Sequence, residues 1–278
     1  MTVGAAPRVA EAAWFRGRRA LVTGASAGIG AAYCRALAAR GCDLIIVARR
    51  ADRLHALRTR LEQEHGVEVQ VVVADLAAPQ ALASIGAAIA ERGLDVLVNN
   101  AGYGVPGSFL SSPWTRQAAC LQVMVTAVAG LTHACLPLFI ARGSGVVLNV
   151  ASVAGFLPGS AGHTLYGATK AWMINFTESL ACEYAAQGVR ACAVCPGFTW
   201  TEFHDVTGTR AAVSSLPRFM WSTADAVVDD SFAAVARGRV VCIPGLFNRA
   251  VVAAARLLPA VLVRRLARVE GRRVRDAG

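Results

Sequence analysis

RALVTGASAGIGAAYCRALAARG, residues 19–41, decides the fold. Its first residues form a short apolar run closed by Gly24, the pattern of a strand buried on both faces. From Ile29 onward, small and apolar residues recur at helical spacing, and Gly41 supplies the stop. A helix directly after a strand carries the chain back, so the next strand lies parallel to the first. Within the turn the glycines have separate tasks. Gly24 permits a tight bend, Gly28 lets backbone approach a pyrophosphate, and Gly30 lets helix and strand pack closely. The helix start offers N–H groups and a positive dipole end to phosphate. Ser26 and Ile29 lie in the same turn and join the glycines as candidate dinucleotide contacts.

The rest of the chain repeats the unit. Apolar runs at 43–49, 68–76, 94–102, 145–152, 189–197 and 239–245 read as strands. Residues 51–66, 79–92, 113–142, 164–187 and 223–237 read as helices, with Leu54, Leu57 and Leu61 on one side of the first. The alternation predicts an α/β fold: a doubly wound parallel sheet of about seven strands with right-handed crossovers, spanning residues 1–245 as one domain. Residues 198–222 read as a loop-rich insert over the site, and 246–278 as a basic helical tail. Ligands of such sheets sit beyond the carboxyl ends of the strands, and the polar signals gather there.

Composition narrows the classes. The chain has 278 residues, 55% hydrophobic and 17% charged, enough to bury a sizeable core. The net charge is +10, but residues 249–278 hold eight arginines against Glu270 and Asp276 and so carry +6 of it. The basic character belongs to the tail, not to a nucleic-acid face. The eight cysteines mostly sit inside apolar runs and read as reduced core thiols of a cytoplasmic protein. Cys192 and Cys195 stand three apart, but in a strand that spacing points them to opposite faces. No metal site is expected. The N-terminus has no continuous apolar segment of the secretory kind, and no long apolar run reads as a membrane span.

Four groups of residues carry chemistry. Strand 2 ends Arg49-Arg50, where a preference for NAD would place an acid against the ribose 2′-hydroxyl. Arginine suits a 2′-phosphate, so NADP(H) is favoured over NAD(H). Asp75 follows strand 3 and can accept from an adenine amino group; Asn99, Ala101 and Gly102 of the NNAG run follow strand 4. Ser152 ends the fifth strand. Tyr166 and Lys170 are four apart on the next helix, one turn from each other. An ammonium beside a phenol favours the phenolate, so the tyrosine's pKa is expected to fall from its reference of about 10. A phenol so tuned passes a proton to or from a carbonyl or alcohol oxygen. Pro196-Gly197-Phe198-Thr199-Trp200-Thr201 follows strand 6, with Pro196, Gly197, Thr199 and Thr201 placed beside a nicotinamide carboxamide.

TGxxxGxG, NNAG, Ser…YxxxK and PGxxxT occur in one chain, in order. The chain resembles the short-chain dehydrogenase/reductase family over roughly residues 17–245, and LIIVARRADRL, VLNVASVAGFLPG and YGATKAW resemble its soluble NADP-dependent branch with broad, apolar carbonyl substrates. The resemblance implies a Rossmann-type fold, hydride transfer between a nicotinamide and a carbonyl or alcohol, and a homodimer or homotetramer. It implies Tyr166 as acid/base, Ser152 orienting the reacting oxygen, and Lys170 on the nicotinamide ribose. Three places depart from the family pattern. Ala27 is not basic, where many NADP-preferring relatives carry a second cation. The Ser-to-Tyr interval is one residue longer than the commonest spacing. Met124 stands where many members carry an asparagine that supports a water-linked proton relay, and a thioether cannot hold it. The alternative is therefore a non-catalytic or weakly active NADP-binding sensor or scaffold.

Phe156, His163, Phe198, Trp200, Phe203 and Trp221 are the candidate substrate contacts, an apolar set suited to a hydrophobic ketone, aldehyde or alcohol. Leu157, Pro158, His204, Phe219 and Met220 of the same two segments are further expected contacts, with His163 and His204 read as surface or lid residues rather than catalysts. The tail has three open placements: packed on its own domain or a partner subunit, which is favoured, on an anionic membrane surface as a peripheral contact, or over the substrate cleft.

Overall fold

The computed structural model describes residues 12–159, 162, 164–203 and 216–258. Its strands are β1 (Arg19–Thr23), β2 (Asp43–Ala48), β3 (Val69–Val73), β4 (Val96–Asn99), β5 (Gly145–Val150), β6 (Val189–Val194), β7 (Phe198–Trp200), β8 (Trp221–Thr223) and β9 (Val241–Cys242). Its helices are α1 (Ala12–Phe15), α2 (Gly28–Ala38), α3 (Ala51–His65), α4 (Ala81–Arg92), α5 (Trp114–Leu121), α6 (Ala127–Arg142), α7 (Thr164–Tyr184), α8 (Ala224–Ala236) and α9 (Leu246–Leu257). Seven strands form one parallel sheet in the order β3-β2-β1-β4-β5-β6-β9. The winding reverses between β1 and β4, which opens the crevice of a Rossmann-type fold.

Both faces of the sheet are covered, and the strand period of two shows which residue goes where. Ala20 and Val22 of β1 join Leu44 and Ile46 of β2 against α2, α3 and α8, through Tyr33, Leu37, Leu54, Leu61, Val228 and Phe232. Leu21 and Ile45 point the other way, toward Ile85, Leu131, Cys135 and Phe139 of α4 and α6. The Tyr33 hydroxyl donates to Ser231 at 2.7 Å, which settles its one polar atom inside that core. Seven of the cysteines are buried and unpaired as expected; Cys182 is instead exposed, because α7 turns that position away from the sheet. Cys192 and Cys195 pack into different clusters.

Three local features lay outside the sequence pattern. The helical run Trp114–Arg142 contains a π-helical turn at Gln122–Thr126. By composition that helix is apolar enough to cross a membrane, but half of its most apolar stretch is buried within the fold, as in a core helix. The insert expected as loop is pinned at both ends, because β7 and β8 pair as a parallel ribbon. Trp200 stacks on Trp221 across it at 4.0 Å. Three-residue strands are too short to show a period, so the pairing was invisible. The tail begins as α9; residues 259–278 of that expectation lie outside the described residues.

One ion-pair cluster anchors the end of the sheet opposite the crevice. Asp95 accepts from Arg142 at 2.7 Å, from Arg18 at 3.1 Å and from the Arg19 backbone N–H at 3.0 Å. Its carboxylate is buried while the two guanidiniums keep contact with water. Asp95→Ala is expected to lower the unfolding free energy by about 2 kcal/mol, the scale of lost charge-assisted bonds, read by urea denaturation. A loss under about 0.5 kcal/mol would mean that water replaces the carboxylate at no cost.

Candidate active site

The glycine turn is held in shape by the end of β4. The Thr23 hydroxyl accepts from the backbone N–H groups of Asn100 and Ala101 at 2.9 and 3.0 Å. Asn100 Nδ2 donates to the carbonyls of Thr23 and Gly24 at 2.9 and 3.3 Å. Gly24 has φ +67, and a Cβ there would stand 2.8 Å from Asn100 Nδ2; one on Gly30 would stand 2.3 Å from the Gly24 carbonyl oxygen. Both positions therefore require glycine, for the bend and for the helix–strand approach respectively. At the N-cap of α2, Ala27 places no side chain on the first-turn N–H groups. The cradle fits a dinucleotide pyrophosphate. Asn99 is a different matter. Its Nδ2 donates to Asn149 Oδ1 at 2.9 Å and to Thr132 Oγ1 at 3.3 Å, inside the core. As a side-chain cofactor contact Asn99 is corrected: strand alternation turns it inward, and Asn100 is the asparagine at the crevice.

Ser152, Tyr166 and Lys170 converge beyond β5. Ser152 follows the strand, is buried, donates to the Pro196 carbonyl at 3.4 Å and accepts from Ala154 N–H at 3.2 Å. Tyr166 lies in the first turn of α7, and its hydroxyl is hydrogen-bonded to Ser152. The extra residue between them is absorbed without separating the two hydroxyls. Lys170 is buried one turn later and donates to the Val150 carbonyl at 2.7 Å. Its Nζ stands 5.7 Å from the Tyr166 ring centroid.

The charges behave differently from the sequence expectation. Burial raises the Tyr166 pKa above its usual 10, and only the Ser152 hydrogen bond acts the other way. The expected fall is corrected: desolvation of the phenol outweighs the nearby amine, which gives one of its N–H groups to Val150 and whose own pKa burial lowers to about 8. The phenol in this structure holds its proton. Met124 is fully buried on the π turn, and its Sδ would stand 3.0 Å from a Cβ on Gly102, with Lys170 Nζ at 3.6 Å from the same point. The thioether thus borders the lysine's pocket.

At the end of β2, Arg50 reaches back to the glycine turn. Its Nε and Nη2 donate to Ser26 Oγ at 3.1 and 3.0 Å. Arg49 is exposed and stands 4.0 Å from Asp75. Asp75 accepts from the Ala77 N–H at 3.0 Å, the Asx turn that shapes its loop, and turns its other oxygen to Arg49. Glu202 and Arg53, which the sequence did not single out, join this corner: Glu202 accepts from Arg50 at 2.9 Å and from Arg53 at 2.6 Å. No motif marks that carboxylate, because its partners are some 150 residues away in sequence.

The apolar set divides. Phe203 meets the Tyr166 ring, centroids 5.7 Å apart. Phe198, Trp200 and Trp221 pack on one another in the ribbon, Phe198 against Trp221 at 5.5 Å and Trp200 stacked on Trp221. Aromatic pairs across neighbouring strands are favourable contacts. Phe156 lies under the Arg256 guanidinium at 4.9 Å, which docks α9 on the turn after Ser152. Phe219 packs against Phe247 of the same helix at 5.5 Å. Gly197 leaves room for Asn248: a Cβ there would stand 2.2 Å from Asn248 Oδ1. Among the three tail placements, this first segment of it lies beside the site. His163 and His204 lie outside the described residues. Thr199 donates to Gly197 O at 3.1 Å and Thr201 to Thr199 O at 3.4 Å, and a Gly28 Cβ would stand 3.1 Å from Thr201. The turn after β6 therefore faces the glycine turn.

Comparison with known proteins agrees with this geometry. Residues 18–211 match the short chain dehydrogenase family. The chain is similar to an uncharacterized oxidoreductase of Myxococcus xanthus, 38% identical over 213 residues, covering 76% of this chain and 81% of the relative. A short-chain dehydrogenase from Sphingobium yanoikuyae, solved in complex with NADPH, superposes with a TM-score of 0.78 at 35% identity, over 86% of this chain and 93% of the other. The bulky-bulky ketone specific alcohol dehydrogenase of Comamonas testosteroni gives a TM-score of 0.73 at 30% identity, over 87% and 95%.

Proposed function

The chain belongs to the short chain dehydrogenase family, and on that basis we propose that it interconverts an apolar ketone or aldehyde and its alcohol with NADP(H), Tyr166 serving as acid/base. The enzyme is an oxidoreductase acting on CH–OH groups with NAD(P). The observation that carries the finer reading is the Ser152–Tyr166 hydroxyl pair, with Lys170 one turn away and the glycine cradle beside it. A bound reduced nicotinamide supplies hydride to the carbonyl carbon. The two hydroxyls hold the carbonyl oxygen, and Tyr166 gives it a proton. A phenol whose pKa burial has raised keeps that proton at neutral pH, which suits reduction. Lys170 holds ribose hydroxyls and places its charge under the phenol. Phe203 and the start of α9 give the substrate side an apolar wall, and the bulky-ketone relative supports a large apolar substrate.

NADPH oxidation across ketones of graded size tests the reading, with kcat/KM expected to rise with apolar bulk. Preference for small polar carbonyls, or no turnover on any, would overturn it. The NADP(H) preference rests on Arg49, Arg50 and Ser26, supported by the NADPH-bound relative. Arg50→Ala is expected to weaken NADPH binding about tenfold to a hundredfold, the scale of charge-assisted bonds to phosphate, and NADH binding less than threefold. Fluorescence titration reads both. We further propose a reducing, cytoplasmic setting, supported by eight unpaired cysteines, and a homodimer or homotetramer.

A further inference from the structure

We propose that Glu202 is an internal competitor for the cofactor's 2′-phosphate, so that the phosphate unlatches the segment that covers the glycine turn. The inference rests on the NADP(H) reading above.

Glu202 lies directly after the turn that faces Gly28. Its two oxygens are divided between Arg50 at 2.9 Å and Arg53 at 2.6 Å. Those arginines hold its pKa below the usual carboxylate range, so it is an anion throughout neutral pH. Arg50 is bonded at the same time to Ser26 of the glycine turn, at 3.1 and 3.0 Å. One guanidinium therefore joins three things: the first turn of the sheet, the end of β2, and the segment after β7. A 2′-phosphate at the end of β2 would demand the same fork. Two anions cannot share it without repulsion, and Arg49, exposed and 4.0 Å from Asp75, can add itself to the phosphate's side.

The neighbours of Glu202 make its release consequential. Thr201 faces Gly28, where an added Cβ would stand 3.1 Å from it, and Phe203 meets the Tyr166 ring. Glu202 also lines a cavity of about 530 Å³ with Gly28, Arg35, Trp200, Thr201 and Asp225, so the freed carboxylate has room. Arg35, paired with Asp225 at 2.8 Å, offers it a second cation there. The presence of the phosphate on the adenosine half is thus communicated to the segment beside the phenol. A cofactor without it leaves the latch closed.

Calorimetric titration of adenosine 2′,5′-bisphosphate and of 5′-AMP tests this with wild type, E202Q, R50A and, as a charge control, D52N in the first turn of α3. E202Q is expected to bind the bisphosphate about tenfold more tightly and 5′-AMP within twofold; D52N should move neither beyond twofold. The bisphosphate, and not 5′-AMP, should shift wild-type tryptophan emission toward that of E202Q, since Trp200 stands two residues from the latch. Unchanged or weaker binding of the bisphosphate by E202Q overturns the proposal, as does equal tightening for both nucleotides. If R50A loses discrimination while E202Q leaves it unchanged, the latch fails and the cofactor reading stands. If wild type and R50A both fail to discriminate, the cofactor reading itself fails.

Discussion

Phenylalanine in place of Tyr166 is expected to lower kcat by about 10³-fold, with NADPH affinity changed less than threefold. Only one oxygen atom is removed, and it is the atom proposed to protonate the substrate. General acid–base steps contribute typically 10²–10⁴-fold, which sets the scale. The ring stays where it is, since its contact with Phe203 does not use the hydroxyl. The cost in stability is about 1 kcal/mol, the worth of the lost bond to Ser152. Steady-state turnover with the best ketone reads the first effect and thermal unfolding the second. A kcat within tenfold of wild type would mean that another group delivers the proton. Ser152→Ala makes a useful companion. It should cost less, about 10²-fold, because the phenol remains and only orientation of the oxygen is lost.

The fold and most of this site are legible in the sequence for a physical reason. Parallel strands buried on both faces leave continuous apolar runs such as LIIVA, and a strand-to-helix turn that tolerates no Cβ leaves Gly24 and Gly30. Those constraints are local, so local reading finds them. The Ser152–Tyr166 contact is also nearly local, because one strand end and one helix start fix both. What escaped depends on long-range pairing or on solvation. Glu202 finds Arg50 and Arg53 only after the chain has crossed the sheet. Phe198, Trp200 and Trp221 look like lid residues until β7 and β8 pair. The tyrosine's tuning is not legible because spacing shows charge proximity but not desolvation: burial acts on both the phenol and the amine, and it dominates each.

That same burial makes Lys170→Met the most informative variant for pH. With the lysine's pKa lowered to about 8, the charged amine predominates below that pH and the neutral amine above it. If the charge supports proton delivery, wild-type kcat/KM should fall as pH rises through about 8, and K170M should lose about 10²-fold in kcat/KM together with that alkaline limb. The stability effect has the opposite sense. Unfolded lysine titrates near 10.4. Between about 8 and that value the unfolded chain binds the extra proton, so this group makes the fold more stable as pH rises. Across the window the gain is about 3 kcal/mol by linkage. Below pH 8 the fold carries the full penalty of a buried ammonium. The buried thiols oppose this: Cys34, Cys135, Cys192 and Cys195 have pKa values raised by burial, so the unfolded chain loses protons first and the fold weakens above about pH 8.5. Both proteins share the thiols, so the difference between them isolates the lysine. Measured without cofactor, wild type should gain stability relative to K170M from pH 7 to 10. A constant difference would show that Lys170 is as well solvated in the fold as in the unfolded chain, and the alkaline limb of kcat/KM would then need another titrating group.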